Sequence, residues 1–213
     1  MIRRFDTAVP AERARGLSLA ASALRRGEVV VLPTDTVYGV GADAFSPDAV
    51  ARVLEVKGRG RDMPVPVLIG SPRTLDGLAD GLPPAARDLV EGFWPGALTI
   101  VCRAQRALRW DLGDTRGTVA VRMPLHPVAL ELLVETGPLA VSSANRSGMP
   151  PATTVDAAVE QLGGDVAVYL DAGEAEDDVP STIVDVTGRV PQVLRLGAVG
   201  VEELRAVVPD LEG

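Results

Sequence analysis

The chain has 213 residues, 46% of them hydrophobic and 3% aromatic, and it carries a net charge of −8 at pH 7. This composition excludes a disordered chain, and the acidic balance disfavours a surface whose main task is to bind phosphate backbones. The single cysteine, Cys102, leaves no pair for an internal disulfide, and no run of about 18 uncharged apolar residues predicts a membrane helix. We therefore expect a cytoplasmic globular protein whose core consists largely of valine, leucine and alanine.

Hydrophobic periodicity and turn residues predict an alternation of helices and strands. In chain order these are helix 11–26, strand 28–32, helix 46–56, strand 65–69, helix 83–91, strands 98–101 and 118–121, helix 127–135, strand 139–142, helix 154–162, strands 166–170, 182–186 and 193–196, and helix 201–207. The last three strands leave no room for helices between them, so part of the sheet should be antiparallel. The predicted fold class is α/β, with a twisted mixed sheet, surrounding helices and one domain over residues 1–213.

The segment "GVGADA", which begins at Gly39, matches the spacing of a dinucleotide-binding fingerprint. In that fingerprint the glycines follow a strand directly and begin a helix. Here "PTDTVY" separates the glycines from the predicted strand, and the next helix begins only at Ser46 and Pro47. The context therefore argues against a nicotinamide or flavin site.

Three segments place polar side chains at the ends of predicted elements. "LPTDTVYG" could face a ligand-binding crevice, or Thr34 and Asp35 could simply form a turn. "KGRGR" begins at Lys57, the only lysine of the chain. Its cations could bind a polyphosphate, or they could complement a helix macrodipole beside a glycine C-cap. "VSSANRSG" offers Ser143 and Asn145 as hydrogen-bonding groups, or it could be an ordinary turn.

Other candidates point to structural roles. His126 lies at an expected helix N-cap, and Cys102 lies in an apolar strand. One histidine and one cysteine cannot provide a zinc ligand set, and nothing indicates a catalytic triad. The acidic segment 171–180 is expected to be an exposed turn.

Seven segments, taken together and in order, resemble the YrdC/TsaC family of threonylcarbamoyl-AMP synthases. They are LPTDTVYGVG, EVKGRGRDMPVPVLI, FWPGALTIV, TVAVRMPLHPVALELL, GPLAVSSANRSGMP, PSTIVDVTG and VLRLGAVG. The resemblance covers about residues 27–200, as in the short, single-domain members of the family. It implies a YrdC-like fold with a concave, positively charged cavity.

The resemblance implies an enzyme that makes L-threonylcarbamoyladenylate from L-threonine, bicarbonate or CO2, and ATP, with release of pyrophosphate. A nucleotidyltransferase of this kind serves tRNA modification, because a partner transferase complex uses its product to form N6-threonylcarbamoyladenosine (t6A) at position 37. Mg2+ is expected to bridge ATP oxygens, and no metal held by protein side chains is expected.

The resemblance also implies roles for individual residues. The catalytic set would be Lys57, Arg59, Ser143 and Asn145; ATP contacts would come from Lys57, Arg59, Met63, Thr118, Ser143, Pro151 and Arg195; and threonine contacts would come from Thr36, Leu68, Arg122, Val141 and Ser181. Lys57 and Arg59 would contact the phosphates, and Arg122 would hold the threonine carboxylate. The chain departs from common family residues at Met63, Leu68, Pro151 and Pro180.

Two alternatives use the same fold. One is a double-stranded-RNA-binding module, which the net charge of −8 and the lack of a basic stripe with aromatic residues disfavour. A weak, salt-sensitive RNA contact is compatible with the sequence. The other is a related enzyme that makes a different carbamoyl adenylate.

Overall fold

The structure is a computed structural model that describes residues 2–175 and 178–213. Within these residues ten strands form one sheet. They are β1 (Arg4–Asp6), β2 (Val30–Leu32), β3 (Gly39–Asp43), β4 (Val67–Leu68), β5 (Leu98–Arg103), β6 (Thr118–Arg122), β7 (Leu139–Ser143), β8 (Val168–Asp171), β9 (Thr182–Asp185) and β10 (Gln192–Arg195).

Seven α-helices flank the sheet in the described part of the chain. They are α1 (Pro10–Arg25), α2 (Pro47–Lys57), α3 (Leu75–Leu78), α4 (Pro84–Phe93), α5 (Pro127–Thr136), α6 (Val155–Leu162) and α7 (Val201–Val207). The predicted cap of α2 is confirmed, because the Ser46 hydroxyl accepts a hydrogen bond from Ala49 N at 3.4 Å. None of the helices among the described residues is long and apolar enough to span a membrane.

The sheet is mixed, as the sequence predicted. Its strand order is β1-β8-β2-β3-β7-β4-β6-β5-β9-β10. Neighbouring strands run parallel in β1–β8, β2–β8, β4–β6 and β5–β9, and they run antiparallel in the other five pairs. The antiparallel pair expected near the end of the chain is β9–β10. Strands distant in sequence, such as β3, β7 and β4, therefore lie side by side.

Strands β1 and β3 and the short helix α3 were not predicted. The five residues of β3 include two glycines. Because glycine has a low β-propensity, the sequence pattern did not predict this strand. A Cβ atom at Gly39 would lie 2.6 Å from Val141 Cγ1, and one at Gly41 would lie 2.6 Å from Val141 Cγ2. The glycines of "GVGADA" therefore allow β3 to accommodate the Val141 side chain of β7.

Helices cover both faces of the sheet because its buried strands are apolar on both sides. In β2 the side chains alternate, with Val30 in one core cluster and Val31 in the other. The Val30 cluster includes side chains of α1 and α5, whereas the Val31 cluster includes side chains of α2, α4, α6 and α7. Cys102 is buried in the second cluster, in agreement with the packing role that the sequence predicted.

Candidate active site

A cavity of about 410 Å³ lies against the middle of the sheet. Nine of the predicted site residues line it: Thr36, Arg59, Leu68, Arg122, Val141, Ser143, Pro151, Ser181 and Arg195. They come from the β2–β3 connection, the segment after α2, strands β4, β6, β7 and β10, the loop after β7 and the residue before β9. The fold therefore gathers residues that lie up to 159 positions apart in the chain, from Thr36 to Arg195 (195 − 36 = 159).

The β2–β3 connection is both a turn and a wall of the cavity. The Thr34 hydroxyl donates a hydrogen bond to Val37 O at 2.6 Å and accepts one from Thr36 N at 3.2 Å. These bonds close the turn and direct the Thr36 side chain to Arg122, whose Nη1 donates to Thr36 Oγ1 at 3.0 Å. The segment "PTDTVY" thus forms a turn and also faces the cavity, so the two interpretations that the sequence left open are compatible.

Arg122, at the end of β6, is buried beside Asp35. Its Nη2 donates to Asp35 Oδ1 at 2.7 Å, and the two side chains are only 8% and 14% exposed. Its Nε donates to Gly96 O at 2.9 Å. Burial lowers the pKa of Arg122, and the Asp35 carboxylate opposes that shift. A guanidinium has five N–H donors, so the bonds described leave one on Nη1 and one on Nη2 to face a ligand.

Arg59 and Arg195 bring two further guanidinium groups to the cavity. Arg195 donates through Nη2 to Ser181 O at 2.6 Å, and the Ser181 hydroxyl contacts Thr99 Oγ1 at 2.8 Å. Arg59 Nη1 donates to Ser142 Oγ at 3.1 Å, while its buried Nε has no hydrogen-bond partner among the described residues. Partial burial lowers the pKa of both arginines; for Arg59 the Asp62 carboxylate opposes this shift, and the positive charge of Arg195 adds to it. Three cations held this close together favour an anionic ligand.

Four predicted site residues do not line the cavity: Lys57, Met63, Thr118 and Asn145. Met63 is exposed in the segment after α2. Thr118 begins β6 and lies about 13 Å along the strand from Arg122, at about 3.3 Å per residue. Its hydroxyl donates to Thr115 O at 2.7 Å. An ATP contact by Met63 or Thr118 therefore stays a prediction.

Lys57 and Asn145 are buried next to the cavity-lining residue Ser143, and they contact each other. Lys57 Nζ donates to Ser143 O at 2.5 Å, to Asn145 O at 2.7 Å and to Asn145 Oδ1 at 3.3 Å. The sequence predicted that Lys57 contacts ATP phosphates, whereas in the structure its ammonium group donates to the protein's own oxygens. Burial, and secondarily the charge of Arg59, lowers the pKa of Lys57 to about 8.

The sequence did not predict the specific contacts of three residues that complete the site, although Asp35 lies in a segment that it singled out. Asp35 pairs with Arg122, Thr99 contacts Ser181, and Tyr38 lines the cavity while its hydroxyl donates to Gly173 O at 2.6 Å. For Thr99 the sequence did contain a signal, because a hydroxyl in the apolar strand segment "ALTIV" needs a buried partner. Of the acidic segment 171–180, residues 176 and 177 lie outside the described residues, and Ala175 N donates to Thr153 O at 2.7 Å.

Fold and site together define a mixed α/β protein whose cavity combines guanidinium groups with buried hydroxyls, a combination suited to a ligand that carries both phosphate and hydroxyl or carboxylate groups. The chain belongs to the Sua5/YciO/YrdC family. The model of this family, described as "Telomere recombination", matches residues 22–197.

Relatives and solved structures extend this similarity over nearly all of the chain. A protein of Mycobacterium tuberculosis (strain ATCC 25618 / H37Rv) is 56% identical over 208 residues, which are 98% of this chain and 96% of that protein. The threonylcarbamoyl-AMP synthase of Bacillus subtilis is 40% identical, over 90% of this chain and 56% of its own length. The crystal structure of Pyrococcus abyssi Sua5 complexed with L-threonine has a TM-score of 0.92 and 36% identity, and it covers 100% of this chain and 62% of that chain.

Proposed function

We propose that this protein is an L-threonylcarbamoyladenylate synthase, a nucleotidyltransferase that supplies t6A modification of tRNA. The observation that carries the proposal is the convergence of Arg59, Arg122 and Arg195 with the hydroxyls of Thr36 and Ser181 on one cavity. The similarity to proteins named threonylcarbamoyl-AMP synthase supports it. The match to a Sua5 structure complexed with L-threonine supports threonine as a substrate.

In this proposal different arginines bind the two substrates: Arg59 and Arg195 bind ATP, and Arg122 binds L-threonine. Arg59 has a buried Nε without a hydrogen-bond partner in the described chain, and it would neutralise triphosphate charge together with Arg195. Arg122 would hold the threonine carboxylate through its two remaining N–H groups. Thr36 and Ser181 would bond the substrate's polar groups, Leu68 lines the same cavity and would contact its methyl group, and Val141 would contribute backbone contacts. Such a site rejects an analogue that lacks the hydroxyl, because buried polar groups would then be left unpaired.

The chemistry needs no covalent bond to the protein. The threonine amine attacks CO2, an N–C bond forms, and the nitrogen loses a proton to give an N-carboxylate. A carboxylate oxygen then attacks the α-phosphorus of ATP, and the bond to the β-phosphate breaks so that pyrophosphate leaves with the electron pair. Catalysis would come from holding the reactants together and from stabilising negative charge, which guanidinium groups already fixed by hydrogen bonds do with little reorganisation.

The predicted Mg2+ does not match a ligand set in the protein. No group of three or more His, Cys, Asp or Glu side chains that could hold a metal occurs among the described residues. The residues that line the cavity offer hydroxyls and cations, whereas Mg2+ prefers carboxylate, phosphate and water oxygens. The metal would therefore enter on the ATP phosphates, and no step of the proposed mechanism depends on a protein-held metal.

The product is a mixed anhydride, so a transferase complex that consumes it is the expected partner. Neither the cavity nor the net charge of −8 supports an RNA-binding function. The residues that line the cavity suit small polar ligands. A cytoplasmic location fits a role in tRNA modification and stays part of the proposal.

The decisive experiment is incubation of the protein with ATP, bicarbonate and L-threonine, with mass-spectrometric detection of the adenylate and measurement of pyrophosphate. Both products should require all three substrates and should form without RNA. Arg59→Met should lower the rate at least tenfold, through loss of phosphate neutralisation. Arg61→Met is the matched control, because Arg61 is exposed and pairs with Asp111 outside the cavity; it should stay within about threefold of wild type. Absence of the adenylate in the wild-type reaction would refute the proposal.

A further inference from the structure

The environment of Lys57 accounts for every donor of its ammonium group. Lys57 is the last residue of α2, and the residue is 3% exposed. Nζ lies within 3.3 Å of three oxygens, which belong to Ser143 and Asn145. An ammonium has three N–H donors and no acceptor, so these oxygens can occupy all of them. The side chain does not line the cavity.

The segment 143–149 also donates a hydrogen bond to the backbone of Lys57. Lys57 O accepts a hydrogen bond from Ser147 N at 2.7 Å. Asn145 Nδ2 donates to Arg146 O at 2.9 Å and to Met149 O at 2.7 Å. The end of α2 is thus bonded to both halves of the segment 143–149. This segment begins at Ser143 and is followed closely by Pro151, and both of these residues line the cavity.

We infer that Lys57 and Asn145 are positioning residues that hold the 143–149 segment, and with it the cavity-lining residues Ser143 and Pro151, and that Lys57 does not contact ATP. The kinetic part of this inference rests on the proposed function. Arg59 differs from Lys57 because Gly58 lies between them with φ +61° and ends the helix. The left-handed glycine turns the chain, so Lys57 faces the segment and Arg59 faces the cavity.

The same contacts explain why the one lysine of the chain occurs here. Three oxygens converge on Nζ from a backbone that also bonds to Lys57 O. A compact ammonium fits such a pocket, whereas the planar guanidinium of arginine is broader and directs five donors into a fixed fork.

Limited trypsin digestion tests this inference without any activity measurement. In the intact protein Arg146 and Ser147 are exposed, but the bond between them is held in place, because Arg146 N donates to Gln161 Oε1 at 3.0 Å and Arg146 Nε donates to Gln161 O at 2.7 Å. Lys57→Met removes all three donors and keeps an unbranched side chain that is one atom shorter. We expect cleavage after Arg146 to become at least tenfold faster, relative to cleavage after Arg116 in an exposed turn.

Two further variants keep the test decisive. Asn145→Asp retains Lys57 and an oxygen for it to bond, yet it removes the donors to Arg146 O and Met149 O, so it should also increase cleavage after Arg146. If Lys57→Met does not fold, Asn145→Asp still tests whether these hydrogen bonds hold the 143–149 segment. Arg59→Met, the matched control, should leave the cleavage ratio unchanged.

Kinetics then separate positioning from phosphate binding. Lys57→Met and Asn145→Asp should lower kcat at least tenfold with less than a threefold change in the KM for ATP, whereas Arg59→Met should raise that KM. The inference is overturned if Lys57→Met raises the KM for ATP like Arg59→Met and leaves cleavage after Arg146 at the wild-type rate. If the wild-type protein makes no adenylate, the proposed function fails, but the digestion still decides the role of Lys57.

Discussion

The Arg122–Asp35 pair shows how one carboxylate can fix a binding residue. Asp35 Oδ1 also accepts a hydrogen bond from Leu125 N at 2.8 Å, so the carboxylate is held on both sides. Asp35→Asn keeps the shape of the side chain but leaves the buried guanidinium without a counter-charge. We expect the free energy of unfolding to fall by about 2–4 kcal/mol and the KM for threonine to rise.

Urea unfolding and threonine titration of the rate would measure both effects. Asp111→Asn is the control, because Asp111 pairs with an exposed arginine at the surface and its loss should cost under about 1 kcal/mol. Equal unfolding free energies for the two variants would show that burial of the Arg122–Asp35 pair has no energetic consequence.

The close contact between β3 and β7 requires glycine at position 41, because glycine has no Cβ atom. An alanine Cβ at this position would lie 2.6 Å from Val141 Cγ2 and 3.0 Å from Ala140 O. We predict that Gly41→Ala destabilises the fold by about 1–3 kcal/mol, the usual cost of overpacking. Thermal unfolding of Gly41→Ala and of Gly41→Ala/Val141→Ala would test this, since the second change removes the clashing methyl groups. Gly77→Ala should not destabilise, because no atom lies within 4 Å of its Cβ position.

At the scale of the element, the end of α2 determines which positively charged side chains face the cavity. Gly58 adopts φ +61° and ψ 38°, and its N–H bonds to Glu55 O at 2.9 Å. No atom lies within 4 Å of a Cβ at this position, so a substitution there would meet only conformational strain. Gly58→Ala should therefore cost about 1–2 kcal/mol, and Gly58→Asn should cost less because asparagine tolerates this conformation. Chemical unfolding of both variants provides the measurement, and an equal cost for both would contradict this explanation.

Helix ends were the most predictable elements of the fold, whereas strand pairing was the least. Ser46 and Pro47 mark the beginning of α2 by local chemistry alone, and the structure confirms them. Strand β3 was missed because its glycines are favourable only opposite Val141, a residue about a hundred positions away in the chain. A single sequence does not contain that pairing, since β-propensity depends on the neighbouring strand.

At the scale of the whole molecule, the protein is acidic and yet concentrates cations in one place. Its net charge is −8, while Arg59, Arg122 and Arg195 line the same cavity. The residue pattern singled out the segment "KGRGR" that carries Arg59, whereas Arg122 and Arg195 were predicted only from the resemblance to the family. The sequence could not show that the Lys57 side chain turns away from the cavity that Arg59 faces, since that difference arises from one left-handed glycine and from the path of the 143–149 segment.

The buried ammonium of Lys57 also makes the stability of the molecule depend on pH. Burial and the charge of Arg59 lower the pKa of Lys57 to about 8 in the folded protein, from an ordinary value of 10.5. Between these two values the unfolded chain binds more protons than the folded one, so the free energy of unfolding gains a contribution as pH rises. This contribution is complete above about pH 10.5 and is lost as pH falls through about 8, with a limiting slope of about 1.4 kcal/mol per pH unit.

Comparison of wild type with Lys57→Met isolates this contribution. The pKa values of Tyr38, Tyr169 and Cys102 are each raised to about 12 by burial, but these groups occur in both proteins and cancel in the difference. Guanidinium chloride unfolding at pH 7, 8, 9 and 10 should therefore show a wild-type advantage that is constant up to about pH 8 and then increases. A difference that stays constant to pH 10 would mean that the three oxygens around Nζ stabilise the ammonium enough to offset its burial, so that Lys57 stays charged throughout this range.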